Sequence, residues 1–313
     1  MNFLLPQGIG DAIWALHKVQ DIARDYGERR IDIFLNCSEP NGPESRALEF
    51  VRRFNFVTTA QMLRVNIMRD PLIDDEGRYN YINDGWMPEM PGVFALMPNQ
   101  PLERGIRLEE WLPDYQTNWA IVNDFNFADA EREVAETMRE RCGSYIVFFM
   151  GSLIANTVDG HNRCERWTPF EWIELGDWLH ETLGLEIVVV GAEYDATYFE
   201  SRIAPNVEGK SHWHNLIGQF SIWETFAVCR QARMVISYQS GIGIFSSYTG
   251  VPTGIFWRAK GDSIREDVCL SFEESMASAW ANPKHIGAGK HLPLIYGRHG
   301  TDYIRQQIIE RNW

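Results

Sequence analysis

The sequence predicts an α/β protein with two doubly wound domains, each built on a parallel sheet. Three observations support this prediction. The chain opens with an alternation of strands and helices, the alternation restarts at Tyr145 after a long irregular stretch, and 313 residues suffice for two domains of roughly 150 residues each. Hydrophobic residues make up 45% of the chain and charged residues 23%, as expected of a globular protein.

The first domain is predicted to span residues 1–141. Gly8 and Gly10 predict a turn between its first strand and first helix. The predicted elements are a strand over 3–6, a helix over about 13–23, a strand over 31–35 and a helix over 44–54. Between about residues 65 and 118 the periodicity is lost, so we expect long loops and short strands there.

A second domain is predicted over residues 142–295, because the alternation restarts after the glycine break at Gly143. Its clearest helix follows a polar loop: Thr168 can cap it, Glu171 completes a capping box and Gly184 ends it. The predicted helix over 128–141 precedes this boundary and ends the first domain. The other predicted elements of the second domain are strands over 145–150, 185–190, 234–238 and 253–257, and helices over 222–231 and from about 242.

The remaining C-terminal part is predicted to be irregular and then helical. Residues 258–295 lack a clear period and end near Pro293. Tyr303, Ile304 and Ile308 recur at helical spacing, which predicts an amphipathic helix over 301–311.

The charge of the chain is uneven along its length. Up to residue 140 there are 14 basic and 24 acidic residues, and the rest has 15 and 19, so the net charge of −14 divides into −10 and −4. Proteins that hold a nucleic acid backbone normally cluster Lys and Arg, because affinity comes from neutralised phosphates. Nucleic acid is therefore an unlikely partner of the first domain.

Cysteine and hydropathy patterns predict a soluble cytoplasmic protein. The five cysteines are scattered and form no Cys-x-x-Cys pair, which is typical of a reducing compartment. No apolar stretch approaches the roughly 20 residues of a transmembrane helix, and no basic leader precedes the first strand. His212 and His214 flank Trp213, but nothing around them has metal-ligand spacing, so we expect no metal site.

The first candidate site is the turn that holds Gly10 and Asp11. It follows a strand of a parallel sheet, at the edge where α/β proteins bind ligands. A dinucleotide fingerprint would need glycine where Ile13 stands, so a dehydrogenase is disfavoured. Two hypotheses remain for Asp11: it acts as a catalytic carboxylate, or it only caps the helix by accepting hydrogen bonds from free N–H groups.

Two further candidates lie in the second domain. The polar loop from Gly151 to Arg166 includes Ser152 and Arg163, and its arginines could bind a pyrophosphate at the start of the next helix. After the strand over 234–238, backbone amides and the Ser240 hydroxyl could hold an anion; the turn comprises Gln239, Ser240 and Gly241. Tyr238 stands where a nucleophile elbow needs glycine, which disfavours an esterase.

The tryptophans offer a weaker signal. Trp86, Trp111 and Trp119 lie in the irregular part of the first domain and could stack on sugar rings. Most tryptophans are core residues, and that interpretation is the alternative for each of the three.

The order of motifs resembles the heptosyltransferases, inverting glycosyltransferases of family nine with the GT-B fold. The resemblance rests on Gly8-Ile9-Gly10-Asp11, on Arg166-Trp167-Thr168-Pro169, and on the segments 187–193, 215–218, 222–231, 234–241 and 250–256, which occur in the family's order. It covers the first 35 residues and most of residues 145–257, but not residues 55–140.

The resemblance implies two Rossmann-like domains with a cleft between them and a C-terminal segment, 296–313, whose helix crosses back onto the first domain. It implies that the first domain holds a hydroxyl acceptor and the second a nucleotide diphosphate sugar. Asp11 would be the general base. The residues implied in donor binding are Gly10, Ser152, Arg163, Arg166, Glu193, Gln239, Ser240 and Gly241.

Two positions depart from the family pattern. Gln239 replaces the usual aspartate before Ser-Gly, and Ile244 stands where the family has histidine. The sugar or the nucleotide can therefore differ from ADP-heptose. No Asp-x-Asp triplet occurs in the chain, so we expect metal-independent transfer without a further cofactor.

The sequence leaves three functions open. The leading one is transfer of a sugar, ADP-heptose or a similar donor, onto a cell-envelope saccharide or another hydroxyl acceptor. A glycosyltransferase acting on DNA bases is disfavoured by the charge of −10 in the first 140 residues. A non-catalytic protein that binds a nucleotide sugar is favoured by Gln239 and Ile244 and disfavoured by the presence of Asp11.

Overall fold

The computed structural model describes most of the chain and divides it into two compact units. The units are Met1–Asn126 and Phe127–Trp313. The described residues are 1–36, 46–63, 85–87, 90–98, 106–151, 167–257, 291–295 and 299–313.

The first unit is built on a mainly parallel sheet. Its strands are β1 (Asn2–Leu5), β2 (Asp32–Asn36), β3 (Thr59–Leu63), β4 (Gly85–Trp86) and β5 (Val93–Ala95). The described strands form the order β3-β2-β1-β5-β4, in which only the β4–β5 pair is antiparallel. Its α-helices are α1 (Ile9–Asp25) and α2 (Arg46–Arg52). Together they confirm the strand and helix order predicted for the start of the chain.

A buried lysine fixes the end of the first unit onto α1. Lys18 is fully buried, and its Nζ donates to the carbonyl oxygen of Tyr115 at 2.6 Å. Burial lowers the pKa of Lys18 to about 8, and the charge of Glu109 opposes that shift. One residue earlier, the backbone oxygen of His17 accepts from Asn118 N at 2.8 Å. The chain around residues 112–118 is thereby held against the helix.

The second unit contains a parallel sheet with a Rossmann strand order. Its strands are β6 (Tyr145–Phe149), β7 (Glu186–Val190), β8 (Trp213–Asn215), β9 (Met234–Tyr238), β10 (Thr253–Trp257) and β11 (His291–Ile295). The order β8-β7-β6-β9-β10-β11 reverses direction between β6 and β9, which makes the edge beyond these two strands the topological switch point.

Helices cover both faces of this sheet, as expected of a doubly wound unit. They are α3 (Asp129–Cys142), α4 (Pro169–Leu183), α5 (Ala196–Tyr198), α6 (Ala204–Val207), α7 (Ile222–Gln231), α8 (Gly241–Ser247) and α9 (Thr301–Arg311). Alternate residues of β6 point to opposite faces. Phe148 packs on Trp172 of α4, whereas the Tyr145 hydroxyl donates to the carbonyl oxygen of Val228 in α7 at 2.8 Å.

The start of α4 confirms the signals in its sequence. Thr168 Oγ1 accepts from Glu171 N at 3.3 Å, and Glu171 Oε2 accepts from Thr168 N at 2.7 Å. Gly184 follows with a φ of 67°, the left-handed conformation that glycine adopts without strain.

The boundary between the units differs from the predicted one at 141/142. The structure divides the chain between Asn126 and Phe127, because α3 packs along α7 of the second unit. Phe127 also contacts Phe245 of α8, with ring centroids 6.2 Å apart. The sequence alternation correctly located β6, the first strand of the second sheet. It placed the boundary too late, because helix α3, which precedes β6, already belongs to the second unit.

The C-terminal helix packs on its own unit, where the sequence predicted packing on the first domain. Ile304 and Ile308 of α9 are buried in the core cluster of α4 and the second sheet. Thr301 Oγ1 donates to Glu174 Oε2 at 2.9 Å, and Arg305 Nη2 donates to the Glu174 carbonyl oxygen at 3.0 Å. The apolar stripe of α9 was predicted correctly, but its partner is α4.

Several elements of the second unit were not predicted. Strand β8 has only three residues, and β11 includes Pro293 in a stretch expected to be irregular. Proline is tolerated in β11 because that strand lies at the sheet edge, where an N–H donor is dispensable. Residues 193–207 form successive helical turns, including a π turn over Phe199–Ile203. No described helix is both long enough and apolar enough to cross a membrane.

Candidate functional site

The carboxyl edge of the first sheet holds Asp11. Among the described strands, the order reverses between β1 and β5, so the switch point of this unit lies beyond the end of β1. There the chain turns at Gly8 into α1, whose first three residues are Ile9, Gly10 and Asp11. Gly10 is buried and Asp11 is partly exposed. A carboxylate thus lies at the position where an open α/β sheet binds its ligand.

Asp11 is the third residue of α1 and not its N-cap. The N-cap is Gly8, which has no side chain to accept a hydrogen bond. A Cβ atom added to Gly8 would lie 2.6 Å from Asp11 Oδ2, so the carboxylate is folded over the Cα of Gly8. An acidic residue in the first turn also stabilises the positive end of the helix dipole. The geometry therefore fits both a reactive carboxylate and a helix-stabilising one.

In two other helices the third residue is also acidic, and its carboxylate accepts a hydrogen bond from the backbone N–H of the N-cap residue. Glu131 Oε2 accepts from Ala128 N at 2.8 Å at the start of α3, and Glu224 Oε2 accepts from Ser221 N at 2.6 Å at the start of α7. These glutamates lie on helix starts that carry no predicted site residue. They provide matched references for Asp11.

The switch point of the second sheet brings two predicted segments together. Phe149 of β6 pairs with Ser237 of β9, so Gly151 and Gln239, each two residues further on, leave neighbouring strands at the same edge. Gln239 N donates to the carbonyl oxygen of Phe256 at 3.1 Å, which ties this exit to β10. The loop that begins after Gly151 and the turn after β9 therefore start side by side.

The turn after β9 is fixed by a serine cap. Ser240 Oγ accepts from Gly243 N at 3.1 Å, and no acidic residue lies in the first turn of α8. A Cβ atom on Gly243 would stand 2.2 Å from Ser237 Oγ, so glycine permits α8 to lie close to β9. Gln239, Ser240 and Gly241 are each partly exposed. Ile244, at the family's histidine position, is buried.

Glu193 follows β7 at the same sheet edge and is exposed. Gly218, with a φ of +75°, lies over it, since an added Cβ would be 3.4 Å from the Cα of Glu193. Gly218 N also donates to the Gly191 carbonyl oxygen at 2.9 Å. This turn leaves the Glu193 side chain at the surface beside the switch point. The other predicted donor residues, Ser152, Arg163 and Arg166, lie outside the described residues.

The histidine pair noted in the sequence is divided between two carboxylates. His212 Nε2 lies 3.0 Å from Asp177 Oδ1, and His214 Nε2 lies 2.7 Å from Glu186 Oε2. Burial opposes ionisation of Asp177, but hydrogen bonds from Lys210, Trp213 and His212 outweigh it and lower its pKa. Within the part of the chain that the structure describes, no group of three or more His, Cys, Asp or Glu could hold a metal ion.

The tryptophans proposed as stacking platforms have different environments. Trp111 is buried, and Trp119 packs against the ring of His17 with centroids 5.6 Å apart. Trp86 remains 46% exposed and contacts Tyr26 edge to face. Trp111 is therefore a core residue.

Sequence reasoning missed Asp195, a buried carboxylate at the second switch point. Its Oδ2 accepts from Ala192 N at 2.9 Å, and a Cβ atom on Gly151 would stand 2.0 Å from its Oδ1. The signal available in the sequence was the aspartate three residues after Ala192, a spacing typical of a capped turn. Its approach to Gly151 depends on strand pairing, which the sequence does not display.

The fold of the chain is similar to that of known proteins. No family model and no curated protein matches the sequence. Solved structures with a similar fold include glycosyltransferases, among them one of family nine from Veillonella parvula. That enzyme has a TM-score of 0.56 and 12% identity to this chain, over 99% of this chain and 88% of its own.

Two heptosyltransferases of Escherichia coli are also similar. ADP-heptose LPS heptosyltransferase II has a TM-score of 0.59 and 13% identity, over 99% of this chain and 97% of its own. Heptosyltransferase WaaC, solved with ADP, has a TM-score of 0.51 and 13% identity, over the full length of both chains. The resemblance seen in the sequence motifs is thus confirmed at the level of the fold, including the first unit, where the motifs were sparse.

Proposed function

We propose that this protein is an inverting glycosyltransferase that moves a sugar from a nucleotide diphosphate sugar to a hydroxyl acceptor. The observation that carries the proposal is the position of Asp11, a partly exposed carboxylate at the switch point of the first sheet. Its support is the fold, which this chain shares with glycosyltransferases of family nine over nearly its whole length.

In the proposed reaction Asp11 acts as the general base. It accepts the proton of the acceptor hydroxyl while that oxygen attacks the anomeric carbon of the sugar. The bond from that carbon to the diphosphate oxygen breaks, and the nucleotide diphosphate leaves with the electron pair. Attack from the face opposite the diphosphate inverts the configuration at the anomeric carbon.

The second unit is proposed to bind the donor. Glu193 would contact the ribose, and Gln239 with the amides at Ser240 and Gly241 would line the donor site of this unit. Ser152, Arg163 and Arg166 would supply donors and positive charge for the departing diphosphate. A donor of the ADP-heptose class and a cell-envelope saccharide are the first pair to test, and transfer should persist in the presence of a chelator.

A ligand screen followed by a transfer assay tests the proposal. ADP, GDP, UDP and their sugars are added to the protein one at a time. A nucleotide that binds should raise the free energy of unfolding by about 2.7 kcal/mol when its concentration is 100 times its dissociation constant. Release of free nucleotide diphosphate is then measured with saccharide acceptors and, for comparison, with duplex DNA. Binding without turnover would favour the non-catalytic alternative suggested by Gln239 and the buried Ile244. No binding by any nucleotide sugar would refute the proposal.

A further inference from the structure

Asp195 is a buried carboxylate at the second switch point. The residue is 6% exposed, although Glu193 and Tyr194 in the same turn are exposed. The turn over Glu193–Asp195 follows β7 directly. Burial of a carboxylate costs free energy unless polar groups compensate it, so such a group normally has a specific task.

Asp195 closes the turn that carries Glu193. Its Oδ2 accepts from Ala192 N at 2.9 Å, so the side chain folds back over the beginning of its own turn. Asp195 N donates to the Ala192 carbonyl oxygen at 2.8 Å and completes the ring. Glu193 lies inside this closed loop, and its backbone position therefore depends on the Asp195 carboxylate.

The same carboxylate abuts the exit of β6. A Cβ atom on Gly151 would stand 2.0 Å from Asp195 Oδ1 and 2.2 Å from Cγ, distances that no side chain tolerates. A Cβ atom on Gly191 would stand 3.0 Å from Oδ2. Neither glycine has a positive φ, so the close approach of Asp195 is what favours glycine, strongly at Gly151 and more weakly at Gly191.

We propose that Asp195 is a positioning residue for donor binding. One buried carboxylate closes the turn that carries Glu193 and packs against Gly151, where the chain leaves β6. The inference rests on the proposed function, because it assigns these segments to the nucleotide diphosphate. The inference adds Asp195 as a residue that does not touch the donor. Asp195 acts through the backbone of the turn at Glu193 and of the chain at Gly151.

Binding of ADP, GDP and UDP by calorimetry tests the inference in Asp195→Asn. Asparagine keeps the shape and one oxygen for Ala192 N but removes the charge. We expect the dissociation constant of the nucleotide that binds the wild type to rise by about tenfold to a hundredfold, by analogy with residues that orient metal-binding side chains. The turnover number at saturating donor should change little, which separates positioning of the donor from a general loss of structure.

Asp177→Asn is the matched control. Asp177 is a carboxylate of the same unit with its own hydrogen bonds from Trp213 and Lys210. It lies on α4, beside the amino end of β8 and away from the carboxyl edge of the sheet. Its substitution should lower the melting temperature and leave nucleotide affinity unchanged. Wild-type affinity in Asp195→Asn would overturn the inference, and so would an equal loss of affinity in both variants.

Gly151→Ala tests the contact itself and does not depend on Asp195→Asn being well folded. In the wild-type background the added methyl should weaken nucleotide binding, because it collides with the carboxylate. In an Asp195→Ser background, which makes room for the methyl, the further effect of Gly151→Ala should be small. Equal effects in both backgrounds would overturn the inference. Failure of the wild type to bind any nucleotide would instead refute the proposed function.

Discussion

The two switch points of this protein share a backbone arrangement and differ in their chemistry. At both, a parallel strand ends, a short turn follows, and a helix begins, with Gly8 as the N-cap in the first unit and Ser240 in the second. The first turn of α1 includes Asp11, whereas the first turn of α8 has no acidic residue and is capped by the hydroxyl of Ser240. The same local fold thus offers a proton acceptor in one unit and a neutral, hydrogen-bonding surface in the other.

The comparison also separates two uses of a carboxylate. Asp11 is partly exposed and lies at the surface of its turn, where a ligand can reach it. Asp195 is buried, accepts a hydrogen bond from Ala192 N in its own turn, and lies against Gly151. Exposure, and not the residue type, indicates which of the two is a candidate for chemistry and which for support.

The largest expected effect is that of Asp11→Asn. Asparagine keeps the shape of the side chain but cannot take a proton, so turnover should fall by about 10² to 10⁴ while nucleotide affinity stays near the wild-type value. Stability should fall by at most about 1 kcal/mol, the usual size of a helix-dipole interaction. Release of nucleotide diphosphate and thermal unfolding measure the two effects.

Glu131→Gln is the control for Asp11→Asn, because it removes a charge at the same position of α3 and leaves the hydrogen bond to Ala128 N possible. It should retain full turnover. A purified Asp11→Asn protein that transfers sugar at a near wild-type rate would reduce Asp11 to a helix-stabilising residue and remove the difference between the two switch points.

Arg166→Ala should have the next largest effect and should act on the donor side alone. Loss of one charge-assisted hydrogen bond costs about 1.5 to 3 kcal/mol of nucleotide affinity. Isothermal calorimetry with the nucleotide diphosphate measures this change. Affinity equal to that of the wild type would mean that the segment after Gly151 does not contact the diphosphate.

Acid should destabilise the second unit through His291 of β11. Complete burial lowers the pKa of His291 to about 3, against 6.5 for an ordinary histidine, so the unfolded chain binds a proton that the folded one does not. The free energy of unfolding should therefore fall by up to about 1.4 kcal/mol per pH unit from pH 6.5 towards 3 and be fully retained above 6.5.

Chemical denaturation at several pH values gives the free energy of unfolding of the wild type and of His291→Gln. The contribution of His291 to the pH dependence is the difference between the two curves. Hydrogen exchange should locate the acid-induced loss of protection in the second unit. Parallel pH curves for the two proteins would show that His291 does not titrate as proposed.

Ser240→Ala should have the smallest effect. Loss of the hydroxyl that accepts from Gly243 N costs about 1 kcal/mol of stability, the usual cost of removing a helix cap. Ser221→Ala removes the equivalent cap of α7, where Ser221 Oγ accepts from Glu224 N at 3.2 Å. The two variants should be similarly destabilised, and only Ser240→Ala should also weaken nucleotide binding. Equal nucleotide affinities would assign Ser240 a capping role alone.

Local signals in the sequence were sufficient for most elements of the fold. The start of α4 follows from Thr168, Pro169 and Glu171, because each of them acts within one turn of the helix. The strands β9 and β10 follow from continuous apolar runs. By contrast, β8 is too short for a periodic signal, and the strand character of Pro293 depends on its place at a sheet edge.

Contacts between distant segments were beyond the reach of sequence reasoning. The apolar stripe of α9 predicts that the helix is buried on one side, but any complementary groove could receive it, and Glu174 of α4 selects the partner. In the candidate site, Asp11 and the turn at Ser240 could be found because each follows a strand. Asp195 could not be assigned a role, because its proposed role rests on its closeness to Gly151, which lies just beyond another strand.

The division of the chain at residue 126 has a consequence for biosynthesis. Each unit is one uninterrupted stretch of chain, and the strands of each sheet come from that stretch alone. Domains generally fold as units during translation, with the N-terminal one first. The first unit should therefore reach its native structure while the ribosome is still adding residues of the second, and few partly folded chains should be exposed to aggregation at any moment.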